Sequence, residues 1–509
     1  MNTRTRQHLG HATFLLALLT TVHAAQQPAP VGIKVGFAER DITPSIGMEQ
    51  PGGYGKNFHR TFHDPCKVRV ALFDDGRSKV VLVGLDALIV PRHVVVDART
   101  EIEKLTRIPG SAVMIGASHS HSSGPVGMVQ PGQFDHAPED IRRLAYEESS
   151  MADAGYLMRV THEIVQAVRA ADAGRVPAQL GFGYGHEDQV AFNRRLRMKN
   201  GQSWSHPGAM NPDIINYAGP IDPQVGVIGA WDLSGKLIGT VVNFSCHATT
   251  NPGGISANWI YYLERTIHGA LDTRAPVVFL AGACGDVTQV NNLSPYQRPA
   301  PEAWAHFVGG RVGAEAVKVL LSVPRSSDIP VDSRQKTWTI PRRTPSPDNL
   351  AKAKVTLAQG KRPPDFTDWI FAKETVLLDQ LLKVEPAVEV EVQALQIGPA
   401  VCVSNPSEYF VQYGLDIKQG SKFSYTFPVE LANGCVGYVP TEEAFSSAGG
   451  GYETRLTLYS NLETTAGRQF AEVGIELANQ MTPSAPPEFP KLKAPGQPWS
   501  YGNVGPQLD

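Results

Sequence analysis

A chain of 509 residues with 42% hydrophobic side chains can bury one large core or two adjoining ones, which excludes disorder as its default state. Its 46 basic and 49 acidic residues are dispersed and leave a net charge of -3, so it carries neither the basic footprint of a nucleic-acid binder nor a basic amphipathic stripe for anionic lipid. Five cysteines are too few for a disulfide scaffold, and their odd number leaves at least one thiol unpaired. The partner expected on these grounds is a small or lipid-like molecule.

The chain opens with Arg4 and Arg6, an apolar run over 12–22 and a Val-His-Ala site at 22–24. This is the pattern of a cleaved secretory signal over 1–24, so the mature protein is expected to be periplasmic or secreted. No later stretch has the roughly 20 apolar residues of a spanning helix. Short apolar runs then recur at 80–85, 113–117, 240–244, 277–280 and 400–403, bounded by turn residues, as strands buried on both faces do. Helical periodicity follows some of them, at 94–105, 260–271 and 303–321. This alternation predicts an α/β or mixed α+β fold, a layered core with helices on the faces and a site at strand ends. Gly, Pro and Asn between 177 and 232 predict loops and hairpins. The segment 348–384 carries charges at helical spacing and reads as a helical insertion, and the proline-crowded stretch 481–509 as an extended tail.

Chemistry collects where the apolar runs end, as ligand sites do at the carboxyl ends of strands in open α/β sheets. After 113–117 comes His119-Ser-His121, a His-x-His pair able to offer imidazole nitrogen to Zn²⁺ at about 2.0 to 2.1 Å. After 240–244 comes Cys246-His247. After 277–280 comes Gly282-Ala-Cys284-Gly285-Asp286-Val-Thr288, where small residues admit a ligand and Asp286 or Thr288 faces it, unless Asp286 simply caps a turn. After 400–403 comes Glu408. Two histidines and one glutamate form an open, catalytic zinc set rather than a closed structural one.

These segments, with the run 36–44 (Gly-Phe-Ala-Glu-Arg-Asp-Ile-Thr-Pro), His63-Asp64, Asn193-Arg194 and Tyr438-Val-Pro-Thr, occur in an order that resembles the catalytic domain of neutral, non-lysosomal ceramidases from about Val31 to about Ile475. The resemblance implies a catalytic domain over 25–480. It implies one zinc ion per chain, with His119, His247, Glu408 and Tyr438 as ligands. It assigns His121 to substrate contact beside the metal, Arg194 to orienting the reacting group, Tyr452 to hydrogen-bonding the substrate carbonyl, and Thr288 to the place of a catalytic serine. The implied reaction is hydrolysis of an N-acyl sphingoid amide to fatty acid and sphingoid base, with peripheral membrane contact left open.

Three features depart from the family pattern. Gly285-Asp-Val-Thr288-Gln289-Val290 stands where the family reads Gly-Asp-Val-Ser-Pro-Asn. Asn258 stands where it tends to carry Asp, which would remove a carboxylate behind a metal ligand. The family continues into an immunoglobulin-like domain where this sequence reads as a proline-rich tail. Competing readings keep the zinc but take a non-lipid amide or ester, use Thr288, Cys246 or Cys284 as a metal-independent nucleophile with His247 as base, or make the chain a non-catalytic exported binding protein.

Overall fold

The computed structural model describes residues 1–2, 32–361 and 366–509. The expected signal segment 1–24 thus lies almost wholly outside the described residues. No helix among the described residues is long and apolar enough to cross a membrane.

The main sheet has eight strands in the order Val277–Ala281, Leu237–Phe244, Gln224–Asp232, Val176–His186, Lys34–Asp41, Lys67–Asp74, Lys79–Leu85 and Val113–Ala117. Its interior pairings are antiparallel, but the two pairs at its ends, Lys79–Leu85 with Val113–Ala117 and Leu237–Phe244 with Val277–Ala281, are parallel. Each parallel pair is joined through a covering helix, Arg92–Thr106 in one and Trp259–Leu271 in the other, because parallel neighbours need a crossover. The sheet curls so that its ends meet: Leu82 and Met114 from one end share an apolar cluster with Val278 and Leu280 from the other. A four-stranded sheet, Val331–Pro341, Ala387–Ile397, Ala400–Ser404 and Tyr425–Val429, adds Leu395, Cys402 and Phe427 to that cluster. The mixed α/β architecture expected from the sequence is the one observed, and the five apolar runs are all buried strands.

The segment 177–232 differs from the expectation of loops and hairpins. Short strands do occur within it, but its ends are long strands of the main sheet, Val176–His186 and Gln224–Asp232. The glycines that look like turn signals let a helix approach: a Cβ on Gly183 would lie 2.7 Å from Val319 of the helix Pro301–Ser322. In 348–384 two helices, Pro347–Ala358 and Thr367–Leu381, pack with Phe134, Ile141 and Leu144. From about residue 485 the chain is largely exposed, without helix or strand.

A buried charge network ties the two arms of the curled sheet together. Arg69 donates to Asp86 at 2.7 Å and to Glu264 at 2.6 Å, and Lys67 reaches Glu264 at 3.1 Å. Burial pushes the Asp86 carboxyl up to about 6 against the pull of Arg69. Burial also opposes ionisation of Glu264, but Arg69 and Lys67 together override it and hold that carboxyl down at about 2, against an ordinary value of 4.5. A carboxylate depressed in the folded state contributes stability above its unfolded pKa, and that contribution is lost as pH falls through the folded value. Glu264→Gln is therefore expected to cost about 3 kcal/mol at pH 7, the lower end for breaking a buried pair because Arg69 keeps Asp86. The deficit should shrink between pH 4.5 and 2; denaturant midpoints of both proteins across that range check this, and a gap independent of pH would refute it.

Candidate active site

The site is laced together by backbone hydrogen bonds between loops that follow different strands. Past Val113–Ala117, Ser120 bridges to Ala248 past Leu237–Phe244, and His121 N donates to Ala248 O at 3.2 Å. His247 N donates to Val287 O at 3.1 Å, and Arg194 N to Asp286 O at 2.8 Å. Gly285 N donates to Tyr409 O at 2.8 Å, and Glu408 pairs in parallel register with Tyr438. At Gly285 the backbones touch, since a Cβ would sit 2.5 Å from Glu408 O. His119 takes up a left-handed backbone with φ 61°, uncommon for a residue with a Cβ and of the kind that clusters at functional sites.

The result is a cavity of about 400 Å³ lined by all eight candidate residues: His119, His121, Arg194, His247, Thr288, Glu408, Tyr438 and Tyr452. Ligating nitrogens of His119, His121 and His247 lie within 4.8 Å of one another. His119 Nε2 and His247 Nε2 stand 3.3 and 3.5 Å from Glu408 Oε2. That oxygen is buried and accepts no hydrogen bond, although two imidazoles face it. Bonds of about 2.0 to 2.2 Å at tetrahedral angles separate neighbouring ligand atoms by about 3.3 to 3.5 Å, so the spacing fits a shared cation. His119 Nδ1 sits 3.0 Å from Leu88 O and His247 Nδ1 2.7 Å from Cys284 O. These contacts assign the Nδ1 proton and leave each Nε2 lone pair directed at the cluster, the arrangement of a metal-binding histidine. The donor set of imidazole, carboxylate and phenol suits a borderline cation.

Electrostatics supports this division of labour. Burial and the charge of Arg194 push the His247 pKa down to about 3, and burial with its two histidine neighbours holds His121 well below its ordinary value, so both rings are neutral at pH 7. Burial would lower His119 too, but Glu408 reverses that. Burial opposes ionisation of Glu408, yet His119 and His247 keep it well below the usual carboxylate range. His121 Nε2 is 3.1 Å from His119 Nε2, so the structure places it close enough to join the ligands as well as to stand beside them.

Arg194 is buried rather than at the surface. It donates from Nε to Glu453 at 2.7 Å and from Nη2 to Gly285 O at 2.7 Å, and its Nη1 is 3.2 Å from His247 Nε2. Its guanidinium lies 5.4 and 5.1 Å from the ring centres of Tyr438 and Tyr452, whose hydroxyls are 3.1 Å apart. Burial pushes the Tyr452 phenol up despite the pull of Arg194, so it remains a proton-bearing donor. Burial and Glu408 likewise raise Tyr438.

Other sequence-level expectations change. Asp286 turns away from the cavity: it accepts from Val411 N at 2.8 Å at the start of the helix Val411–Gly420, and from Asn193 at 2.8 Å. Asn258 is no weakened support for a metal ligand. It caps the helix Trp259–Leu271 and accepts from Thr250 N at 3.0 Å, while His119 and His247 lean on backbone carbonyls. Thr288 Oγ accepts from Val290 N at 3.2 Å. Burial raises the Cys246 and Cys284 thiols, and Cys284 Sγ donates to Glu430 at 2.9 Å. No nucleophile-base pair thus forms around His247 among the described residues. All five cysteines are free. His63 and Asp64 join at 2.7 Å, and Asp64 accepts from Ala257 N at 2.8 Å, a brace between loops that does not line the cavity.

The structure adds residues that no motif announced. Glu453 holds Arg194, Tyr54 and Tyr459 form an aromatic wall with ring centres 4.7 Å apart, and Arg298 and Trp304 also line the cavity. The wall is anchored by Lys373 of the helix Thr367–Leu381, which donates to Tyr54 O and, at 2.7 Å, to Ser149 Oγ. Of these, only Glu453 lay beside a motif residue.

No protein-family model matches the chain. Among curated proteins it is similar to the neutral ceramidase of Pseudomonas aeruginosa, 23% identical over 535 residues that span 92% of this chain and 75% of that protein. Among solved structures, the neutral ceramidase from Pseudomonas aeruginosa has the same fold with a TM-score of 0.63 at 19% identity, covering 89% of this chain and 76% of that one. A ceramidase complexed with C2 gives a TM-score of 0.63 at 18% identity, covering 91% and 78%. A sequence match along nearly the whole chain, a shared fold and the gathering of the candidate site residues around one cavity agree, so the chain is similar to the neutral ceramidases over most of its length and has their fold.

Proposed function

We propose that this protein is an exported zinc-dependent amidase that cleaves the amide bond of an N-acyl lipid of the ceramide type. The observation that carries the metal is the buried, unbonded Glu408 Oε2 facing two imidazole nitrogens at 3.3 and 3.5 Å. Kinship with neutral ceramidase supports the reaction. His119, His247 and Glu408 would hold the ion, with Tyr438 beside them. When bound, zinc supplies Lewis-acid polarisation and brings the pKa of water down to about 7.

The chain's own residues supply the rest. Tyr452, kept protonated, donates to the oxygen that gains charge as the amide carbon becomes tetrahedral, and the fixed charge of Arg194 behind it stabilises the same charge. His121 is neutral and at the cavity wall, so it takes a proton at a ring nitrogen and passes it to the departing amine. The aromatic wall of Tyr54 and Tyr459 would shield the cavity from water.

The test is release of free fatty acid from N-acyl sphingosine by the purified mature protein, before and after chelation. Turnover is expected to vanish with the metal and return with one equivalent of zinc. Chelator-resistant turnover would refute the zinc, and zinc binding without cleavage of any amide would refute the hydrolase.

A further inference from the structure

The cavity lining combines apolar and polar groups. Leu88, Ile89 and Met128 line it from the segments next to His119 and His121, and Leu88 O holds the His119 ring. Thr249, Gln289 and Arg298 line it from the segments after His247 and Val277–Ala281, and Thr249 and Gln289 bond each other at 3.1 Å. Glu408 is the one carboxylate in the lining, and it faces the histidines. Arg194 is matched by Glu453. Arg298 makes no ion pair among the described residues; its guanidinium lies 5.8 Å from the ring centre of Trp304, also in the lining. A cation steadied on an aromatic face at the mouth of a site, with no acid to match it, is arranged for an anion brought by the ligand. At about 400 Å³ the cavity is near the low end of the roughly 300 to 1,000 Å³ that encloses a drug-sized molecule, which suits one modest acyl chain.

We infer that the preferred substrate is an N-acyl amide whose amine half carries an anionic oxygen group held by Arg298, with a short acyl chain against Leu88, Ile89 and Met128. This rests on the amidase reading and replaces the neutral sphingoid half of its ceramide-type substrate with an anionic amine half. Arg298 is a specificity residue in it: it binds the amine half and takes no part in bond cleavage. Hydrolysis of such a conjugate consumes one water and yields the fatty acid and an anionic amine, as for any amide.

The experiment compares N-octanoylglycine, N-octanoyl phosphoethanolamine and the neutral N-octanoylethanolamine on the zinc-loaded protein, with N-acyl sphingosine alongside. The expected result is a KM about tenfold lower for an anionic conjugate than for the neutral one, the scale of one charge-assisted contact at a solvent-facing position. Whether glycine or phosphoethanolamine leads identifies the anion as carboxylate or phosphate. Arg298→Ala should raise the anionic KM about tenfold more than the neutral KM, with the difference between the two substrates largely restored by Arg298→Lys. Equal KM values for neutral and charged conjugates, or an equal effect of Arg298→Ala on both, would overturn the inference. Cleavage of N-acyl sphingosine alone would overturn it while leaving the amidase intact, whereas no cleavage of any amide would remove both.

Discussion

A protein carrying His119→Ala and His247→Ala is expected to fold, to lose its zinc from about one per chain to none, and to lose turnover by at least roughly a thousandfold. The magnitude follows from the several kcal/mol that a metal contributes to the transition state, at tenfold per 1.4 kcal/mol. Both rings are buried, both keep Nδ1 against a backbone carbonyl, and both aim Nε2 at Glu408. Removing them leaves that carboxylate without its neighbours, so a lower melting temperature should accompany the loss. His121→Ala separates a ligand from a proton carrier, since it should retain zinc and still lower kcat. Metal analysis of the three proteins checks this. Full metal in the double variant would place the ion elsewhere, and near-normal turnover without metal would end the zinc reading.

Arg194→Ala should be the most damaging single change. It strands Glu453, fully buried and otherwise bonded to Ser205, and stranding a buried charge costs about 3 to 5 kcal/mol. It also removes the positive charge behind Tyr452, which should lower kcat by roughly 100-fold to 1,000-fold. The double variant Arg194→Ala, Glu453→Gln separates the two effects, because a neutral amide at 453 relieves the stranded charge without restoring the cation. Its melting temperature should recover while kcat stays low. If kcat recovers together with stability, Arg194 is a brace and has no part in the reaction.

The strands and the loops that carry the candidate site residues were legible in the sequence because each depends on local order. A strand buried on both faces is a short apolar run whatever surrounds it, and a histidine or glutamate placed just past its end is carried to the sheet edge by the strand itself. His119, His247 and Glu408 could be read in this way. Glycines proved ambiguous for a local reason too. A missing Cβ marks either a turn or a surface onto which a helix closes, and Gly183 serves the second purpose inside a strand.

The sequence by itself determined the mixed α/β class, the strand ends where chemistry gathers and the segments that resemble the neutral ceramidases. The tertiary structure alone decided the curl that brings the two ends of the sheet together, the turning of Asp286 toward a helix start, and the burial of Arg194 against Glu453. It also decided the meeting of Tyr54, Arg298 and Tyr459 in one cavity. The division has a physical basis. Strand and turn signals arise from neighbours along the chain, whereas a charge's partner and a cavity's wall are set by packing between segments hundreds of residues apart, which leaves no spacing in the sequence to read.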